Sequence, residues 1–238
     1  MRKRPLLVQI AHIWHLLRGA PRRGWTVLHT VTLTVLLTIT APSLAAPGSI
    51  RILAFGDSLT AGYGLDDLSL AFPAQLEKAL RAKGYDVEVI QSGVSGETTT
   101  GGLNRLDWSL AEKPDAVILE LGGNDGLRAV DPAVTRENVN AMLAKLNDKK
   151  IPVLLAGMMA PPNLGRDYGD RFNSIYPDMA EKHGAVLYPF FLDGVAADPA
   201  LNQDDRIHPN PEGVKVVVSR ILPFVEKLIA RITDARAS

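Results

Sequence analysis

The chain has 238 residues, 46% of them hydrophobic, and its 26 basic and 26 acidic residues give a formal net charge of zero. It contains no cysteine, which excludes disulfides, thiol catalysis and thiolate metal sites. Six of the basic residues and none of the acidic ones lie within residues 1–46, so the rest of the chain carries a net charge of −6. Such a mildly acidic domain does not have the basic surface that is typical of nucleic-acid binding.

The N-terminal segment has the three parts of a secretory signal. A basic stretch runs to Arg23, an apolar stretch follows from Trp25 to about Thr40, and small residues then form a Ser43-x-Ala45 cleavage site. This pattern predicts that residues 1–45 are a signal peptide and that residues 46–238 form a single domain, exported to the periplasm or secreted. An uncleaved membrane anchor is the alternative, although the apolar stretch is shorter than the ~20 residues that a spanning helix needs.

From residue 50 onward, short aliphatic runs alternate with segments of helical periodicity. Runs typical of buried parallel strands cover residues 50–55, 87–90, 116–121, 153–157 and 185–188. Apolar stripes at helical spacing cover residues 72–80, 103–110, 139–146, 172–179 and 214–229, with Pro223 expected to kink the last helix. The alternation predicts a three-layer α/β fold of flavodoxin-like type. Its five-stranded parallel sheet has the expected order 2-1-3-4-5, with helices on both faces.

Each polar cluster of the chain follows the carboxyl end of a predicted strand. Ser58 follows the first strand, residues 95–98 the second and residues 122–125 the third, and residues 205–208 lie in the long connection after the fifth. In open α/β sheets, ligands bind at this edge, near the point where the strand order reverses. We therefore expect four separate motifs to meet in one crevice.

A serine, a histidine and an aspartate from these clusters match the requirements of nucleophilic ester cleavage. Ser58 is the expected nucleophile and His208 its base, because a serine hydroxyl needs an imidazole to take its proton and a carboxylate to orient that imidazole. The other histidine beyond the N-terminal segment, His183, ends a predicted helix and is interpreted as a cap. Asp204 and Asp205 compete as the partner of His208. Asp205 is preferred because its three-residue spacing lets both side chains face the crevice from one tight turn.

Candidate donors for the oxyanion of a tetrahedral intermediate come from the first three clusters. Ser58 and Gly96 would each present a backbone N–H, and Asn124 would add a carboxamide N–H. Taken singly, Gly96 is equally well read as a turn glycine and Asn124 as a turn or cap residue. Their occurrence together at one sheet edge favours the functional interpretation. Asp57 is expected to fix the Ser58 turn by an Asx-type hydrogen bond.

These motifs resemble those of the SGNH (GDSL) hydrolase superfamily. They are Gly56-Asp57-Ser58-Leu59, Gly96, Gly122-Gly123-Asn124-Asp125 and Asp205-x-x-His208-Pro209. Segments at residues 62–63, 120–128, 176–177 and 189–191 are similar to the bacterial periplasmic thioesterase I, lysophospholipase and arylesterase branch. The resemblance covers residues 50–230. It implies Ser58, His208 and Asp205 as the catalytic triad, with Gly96 and Asn124 as oxyanion donors, and no metal or other cofactor is expected.

The predicted activity is hydrolysis of carboxylic esters and thioesters through an acyl-enzyme on Ser58, of the arylesterase, acyl-CoA thioesterase or lysophospholipase type. An apolar segment after the fourth strand favours contact with an acyl chain or an aromatic group, and its candidate substrate-binding residues are Met158, Pro161, Asn163 and Leu164. The expected partner is a small acyl ester or thioester, together with transient contact to membrane lipid and no nucleic acid. The alternatives are a carbohydrate O-acetylesterase and a non-catalytic secreted binding protein of the same fold.

Overall fold

A five-stranded parallel sheet forms the centre of the structure, a computed structural model that describes residues 48–237. The strands are β1 (Ile50–Gly56), β2 (Val87–Gly93), β3 (Ala116–Glu120), β4 (Val153–Ala156) and β5 (Val186–Tyr188). They pair in the order β2-β1-β3-β4-β5, and every pair is parallel, so the predicted fold and strand order are confirmed. The predicted signal segment lies outside the described residues.

Helices cover both faces of this sheet and complete a three-layer α/β architecture. Those described are α1 (Ser58–Ala61), α2 (Phe72–Ala82), α3 (Thr99–Ser109), α4 (Gly123–Leu127), α5 (Pro132–Asp148), α6 (Arg166–Asn173), α7 (Ile175–His183) and α8 (Pro211–Ala237). One layer contains α2 packed against α8, and the other contains α5 packed against α3, α6 and α7. None of the helices in residues 48–237 combines the length and apolar character needed to cross a membrane.

One helical prediction differs from the structure in detail. The apolar stripe at residues 172–179 belongs to two helices, because α6 ends at Asn173 and α7 begins at Ile175. The stripe still faces the core on both sides of that break, since Phe172, Ile175 and Tyr176 are all buried. The last helix, α8, contains Pro223 in its interior, and the expected kink there stays a prediction.

The register of the sheet brings the predicted functional loops to one place. Gly56 at the end of β1 pairs with Gly93 at the end of β2 on one side and with Glu120 at the end of β3 on the other. The three carboxyl ends are therefore level, and the loops that follow them leave the sheet side by side. The inner strands β1 and β3 are almost entirely buried because helices cover both faces. Glu120 is the charged residue of β3, and its side chain is completely buried.

Candidate active site

The structure places Ser58, His208 and Asp205 in one hydrogen-bonded chain. The Oγ atom of Ser58 lies 2.9 Å from Nε2 of His208, and Nδ1 of His208 lies 2.6 Å from Oδ2 of Asp205. A carboxylate only accepts hydrogen bonds, so Nδ1 carries the ring proton and Nε2 is left to accept the proton of the serine hydroxyl. This is the arrangement in which a serine becomes nucleophilic, and it involves Asp205 rather than its neighbour Asp204.

A tight turn presents Asp205 and His208 on the same side of their loop. The other carboxylate oxygen of Asp205, Oδ1, accepts the backbone N–H groups of Ile207 at 2.9 Å and His208 at 3.0 Å. Burial raises the pKa of Asp205, but the hydrogen bonds from the His208 backbone, the His208 ring and the Ile207 backbone outweigh it and lower the pKa to about 2. Asp205 is therefore an anion at any pH at which the protein would work.

The turn that carries Ser58 is fixed at both ends of α1. At its start, Oδ1 of Asp57 accepts the N–H of Leu59 at 3.0 Å, which is the expected Asx-type hydrogen bond and caps the helix. At its end, the N–H groups of Gly62 and Tyr63 both donate to the carbonyl of Ser58 at 3.1 Å. Ser58 thus sits on a single closed turn directly after β1, with its hydroxyl facing the loop of His208.

The three predicted oxyanion donors lie in neighbouring loops. Gly96 has the left-handed conformation expected of a turn glycine (φ +79°), and its carbonyl accepts a hydrogen bond of 2.8 Å from the guanidinium of Arg128. Nδ2 of Asn124 donates to Oδ2 of Asp57 at 3.0 Å. Since that carboxylate can only accept, the carboxamide orientation is settled and the second N–H of Asn124 remains free. Among residues 48–237, the backbone N–H groups of Ser58 and Gly96 have no acceptor either.

A buried aspartate joins two of these loops. Asp125, the residue after Asn124, accepts the backbone N–H of Thr99 at 2.9 Å and its hydroxyl at 2.5 Å, and it also accepts the hydroxyl of Thr135 at 3.1 Å. Thr99 begins α3, three residues after Gly96. The distance between the two candidate oxyanion loops is therefore set by a carboxylate that is fully satisfied in the interior. This role could not be inferred from the sequence, although Asp125 adjoins a predicted site residue.

An arginine ties the same region to the sheet. Arg105 forms an ion pair with Glu97, the neighbour of Gly96, with Nε 2.6 Å from the carboxylate. Its Nη2 atom also donates to the carbonyls of Gly56 and Ser92, both at 3.0 Å. One side chain thus connects the end of β1, the end of β2 and the Gly96 loop.

A second buried carboxyl group lies directly beneath the nucleophile turn. Oε2 of Glu120 accepts the hydroxyl of Thr60 at 2.7 Å and the N–H of Asp57 at 3.4 Å, whereas Oε1 has no hydrogen-bond partner. Burial, together with the nearby charge of Asp57, raises the pKa of Glu120 well above its usual value. Burial also raises the pKa of Asp57, to about 6, against the opposing hydrogen bonds from Leu59 and Asn124.

This pair is best described as a protonated Glu120 beside an ionised Asp57 at neutral pH. Asp57 accepts two N–H hydrogen bonds that favour its charged form, and Glu120 is the more deeply buried of the two. The position of Glu120 beneath the nucleophile turn was not predicted from the sequence. The available signal was a glutamate inside an otherwise aliphatic strand, a position where charged residues are rarely found.

The residues predicted to contact substrate after β4 occupy different environments. Met158 is only 4% exposed and belongs to the hydrophobic core, whereas the next residue, Met159, is 54% exposed. Pro161 is half-buried and packs beside α4, and Asn163 and Leu164 lie in the 3₁₀ turn Pro162–Leu164. The segment therefore presents Met159 rather than Met158 to solvent at the sheet edge, because the chain continues inward for two residues after β4.

The other predictions concern His183 and metal ions. His183 ends α7, as expected, and its ring contacts Asn140 at 2.9 Å and Asn147 at 3.4 Å on α5. It therefore joins two helices of one layer and is separate from the chain formed by Ser58 and His208. Within the described range there is no cluster of three or more histidine, cysteine, aspartate or glutamate side chains suited to a metal ion.

Both the sequence and the fold are similar to those of known proteins. Residues 54–216 match the model of the GDSL-like Lipase/Acylhydrolase family. The chain is 42% identical over 171 residues to an arylesterase of Vibrio mimicus, an alignment that covers 71% of this chain and 85% of the relative. It is 36% identical over 196 residues to thioesterase 1/protease 1/lysophospholipase L1 of Escherichia coli K12, covering 82% of this chain and 90% of the relative. The crystal structure of AlinE4, an SGNH-hydrolase family esterase, matches with a TM-score of 0.65 and 49% identity, covering 77% of this chain and 98% of AlinE4.

Proposed function

The chain belongs to the GDSL-like lipase/acylhydrolase family and is a serine esterase of the SGNH type, and we propose that Ser58, His208 and Asp205 are its catalytic triad. The observation that carries this proposal is the continuous hydrogen-bonded chain from the Ser58 hydroxyl through the His208 ring to the Asp205 carboxylate. No other histidine in the described residues is hydrogen-bonded to both a serine hydroxyl and a carboxylate.

In the proposed mechanism, Oγ of Ser58 attacks the ester carbonyl while Nε2 of His208 takes the hydroxyl proton. Asp205 holds the ring in the required tautomer and stabilises the imidazolium that forms. When the tetrahedral intermediate collapses, the bond from the carbonyl carbon to the leaving oxygen or sulfur breaks, and His208 returns its proton to that atom. A water molecule then repeats the sequence on the acyl-enzyme, releasing the carboxylic acid and restoring Ser58.

The oxyanion that forms in both steps would be bound by the N–H groups of Ser58 and Gly96 and by the free carboxamide N–H of Asn124. Two observations support this assignment. All three N–H groups lack an acceptor within the described protein, and Asp125 joins the segments of Gly96 and Asn124. Donors held in place before the reaction stabilise the charged oxygen more than the neutral carbonyl, which lowers the barrier rather than only tightening substrate binding.

For the substrate, we propose small carboxylic esters and thioesters with apolar acyl or aryl groups. Five of the exposed large hydrophobic residues lie in the segments that follow the strands at the catalytic edge of the sheet: Tyr63, Val94, Leu127, Met159 and Ile207. Such an apolar rim suits acyl chains better than the hydroxyl-rich surface of an acetylated sugar. In this proposal, Met159, Pro161, Asn163 and Leu164 contribute to the acyl side, and a lysophospholipid substrate would bring the rim into transient contact with lipid.

The proposed nucleophile can be tested by labelling with a fluorophosphonate. We expect a single adduct on Ser58, and Ser58→Ala should lose both the label and esterase activity. Ser95→Ala is the matched control, because Ser95 is exposed in the neighbouring Gly96 loop and should keep both. Labelling that persists in Ser58→Ala would move the nucleophile elsewhere.

The substrate class needs a separate assay panel. The purified protein would be compared on p-nitrophenyl esters of graded acyl length, acyl-CoA thioesters, lysophospholipid and acetylated xylan. We expect the aryl esters and acyl thioesters to be the better substrates. Dominant turnover of acetylated xylan would instead identify a carbohydrate O-acetylesterase.

We further propose that the protein is exported and that its mature form begins at Ala46 or close to it. The support is the order of basic, apolar and small residues in the first 45 positions. Intact-mass measurement of the exported fraction would determine the N-terminus. Recovery of the full 238-residue chain in membranes would show that the segment is an anchor.

A further inference from the structure

One exposed aromatic ring lies against the proposed catalytic base. Tyr63 is 54% exposed, and the centroid of its ring lies 4.7 Å from that of the His208 imidazole, with the two planes tilted by 43°. Ile207, the residue before His208, is also exposed. The other exposed apolar residues of the rim belong to the segments that follow β2, β3 and β4, on which two of the proposed oxyanion donors and the acyl-side segment lie.

The backbone holds Tyr63 in place from both sides of the site. Its N–H donates to the carbonyl of Ser58 at 3.1 Å, and its carbonyl accepts Nε2 of Gln203 at 2.8 Å. The same side chain donates to the carbonyl of Pro209 at 3.0 Å, and the Gln203 backbone N–H donates to the carbonyl of His208 at 2.8 Å. The hydrogen bonds of Gln203 therefore link the Tyr63 loop to the His208 loop, although 145 positions separate the two aromatic residues. The phenolic hydroxyl of Tyr63, by contrast, forms no hydrogen bond with any residue in the range 48–237.

The chemistry of the proposed mechanism determines which part of a substrate lies beside His208. The proton that Nε2 takes from Ser58 must pass to the leaving oxygen, so that oxygen must come within hydrogen-bond distance of Nε2. The group attached to the oxygen then extends along the imidazole and away from the oxyanion donors. The rim residues that contact the imidazole or adjoin it in the chain are Tyr63 and Ile207.

We propose that Tyr63 forms the subsite for the leaving group and selects substrates whose alcohol or phenol portion is aromatic. This inference rests on the proposed function of the Ser58 site. Hydrogen bonds hold the backbone of Tyr63, and its ring already packs against His208, so an aromatic leaving group can pack against the exposed part of the ring with little loss of conformational entropy. In acylation, the bond from the acyl carbon to the leaving oxygen breaks and His208 protonates that oxygen. In the reverse direction an acceptor alcohol binds at the same subsite and its oxygen attacks the acyl carbon while His208 takes its proton. The bond from that carbon to Oγ of Ser58 then breaks, and His208 returns the proton to Oγ.

The test compares leaving groups of matched size and matched chemical reactivity. Benzyl acetate and cyclohexylmethyl acetate share the acyl group and release primary alcohols of similar acidity, but only one of them has an aromatic ring. For Tyr63→Leu we expect the ratio of kcat/KM values, benzyl over cyclohexylmethyl, to fall about 2- to 12-fold. That is the range for one aromatic pair, 0.5–1.5 kcal/mol, at 1.4 kcal/mol per factor of ten. Tyr63→Phe should keep the ratio of the unmodified protein.

A second readout separates recognition of the leaving group from mere support of His208. The acyl-enzyme formed from one common donor ester would be partitioned between water and added benzyl alcohol or cyclohexylmethanol. Tyr63→Leu should lower transfer to benzyl alcohol relative to cyclohexylmethanol by the same factor. If Tyr63 only positioned His208, reaction with water and with both alcohols would slow equally and both ratios would stay constant, which would overturn the proposal.

The control variant is Leu127→Ala, which removes an exposed apolar side chain of the same rim on the β3 side. Because the acyl group is common to both esters, this change should leave the benzyl-to-cyclohexylmethyl ratio unaltered. An equal fall of the ratio in Leu127→Ala would place the leaving group elsewhere and overturn the assignment to Tyr63. Failure of the proposed function itself would look different, since the unmodified protein would then hydrolyse neither ester and would not react with a fluorophosphonate.

Discussion

The hydrogen bond between Asn124 and Asp57 predicts a specific pattern of kinetic defects. One carboxamide N–H of Asn124 is held by the Asp57 carboxylate at 3.0 Å, and the other is free for the oxyanion. Asn124→Ala should remove one of the three donors and lower kcat by roughly 10²–10³, the usual effect of losing one preorganised donor. KM should stay within a few-fold, because the donor matters most once the oxygen is charged.

Asp57→Asn should reproduce part of this defect by an indirect route. An asparagine at position 57 can still cap α1 by accepting the N–H of Leu59, so the Ser58 turn should persist. It has lost the charge that fixes the Asn124 carboxamide, and the amide can now turn its oxygen toward the oxyanion. A hydrogen bond to a charged group contributes about 1.5–3 kcal/mol, which corresponds to a decrease in kcat of roughly 10- to 160-fold.

The double variant then decides whether the two residues act as one unit. If Asp57 acts by orienting Asn124, Asp57→Asn should add little once the carboxamide is gone, and the double variant should lie within about 3-fold of Asn124→Ala. The assay is steady-state hydrolysis of a p-nitrophenyl ester, with the concentration of active sites counted by fluorophosphonate titration and folding checked by urea unfolding. Additive defects, or a raised KM with unchanged kcat for Asn124→Ala, would refute this reasoning.

Three further predictions concern the neighbouring residues. Asp205→Asn should lower kcat/KM by roughly 10²- to 10⁴-fold through loss of the His208 orientation, whereas Asp204→Asn should change it little; equal effects would remove Asp205 from the triad. The folded-state pKa of Glu120 is raised, so its contribution to stability is complete below its unfolded pKa and is lost as the pH rises through the folded value. Between pH 5 and pH 8, the unfolding free energy measured in urea should therefore decrease less for Glu120→Gln than for the unmodified protein, by up to about 1.36 kcal/mol per pH unit. An equal decrease in both proteins would mean that Glu120 is already ionised. Gly122→Ala should destabilise the fold by roughly 1–3 kcal/mol, since φ is +113° and a Cβ would collide with a buried tyrosine hydroxyl, whereas Gly169→Ala on α6 has open space and should be neutral or stabilising by about 0.5–1 kcal/mol in thermal unfolding.

The sheet and its order follow from local features of the sequence. Parallel strands covered by helices on both faces must be continuously apolar, and the aliphatic runs of this chain mark all five of them. Right-handed crossovers restrict the strand order, and because the strands are parallel, the motifs after the first three strands leave the same edge of the sheet. The proximity of Ser58, Gly96 and Asn124 in the chain's fold was therefore predictable. The spacing from Asp205 to His208 likewise predicted the turn that the structure contains.

Other features required the tertiary structure, because they depend on which groups meet across long stretches of chain. Whether Met158 or Met159 faces solvent depends on where the chain turns after β4. The contact of Tyr63 with His208 depends on the paths of two loops that Gln203 joins. The state of the Asp57 and Glu120 pair depends on desolvation and on N–H groups supplied by other loops, and neither is a property of the local sequence. Periodicity and motif spacing thus determined the fold and the principal site residues. Only the folded chain decided which contacts orient those residues and which of Asp57 and Glu120 is charged.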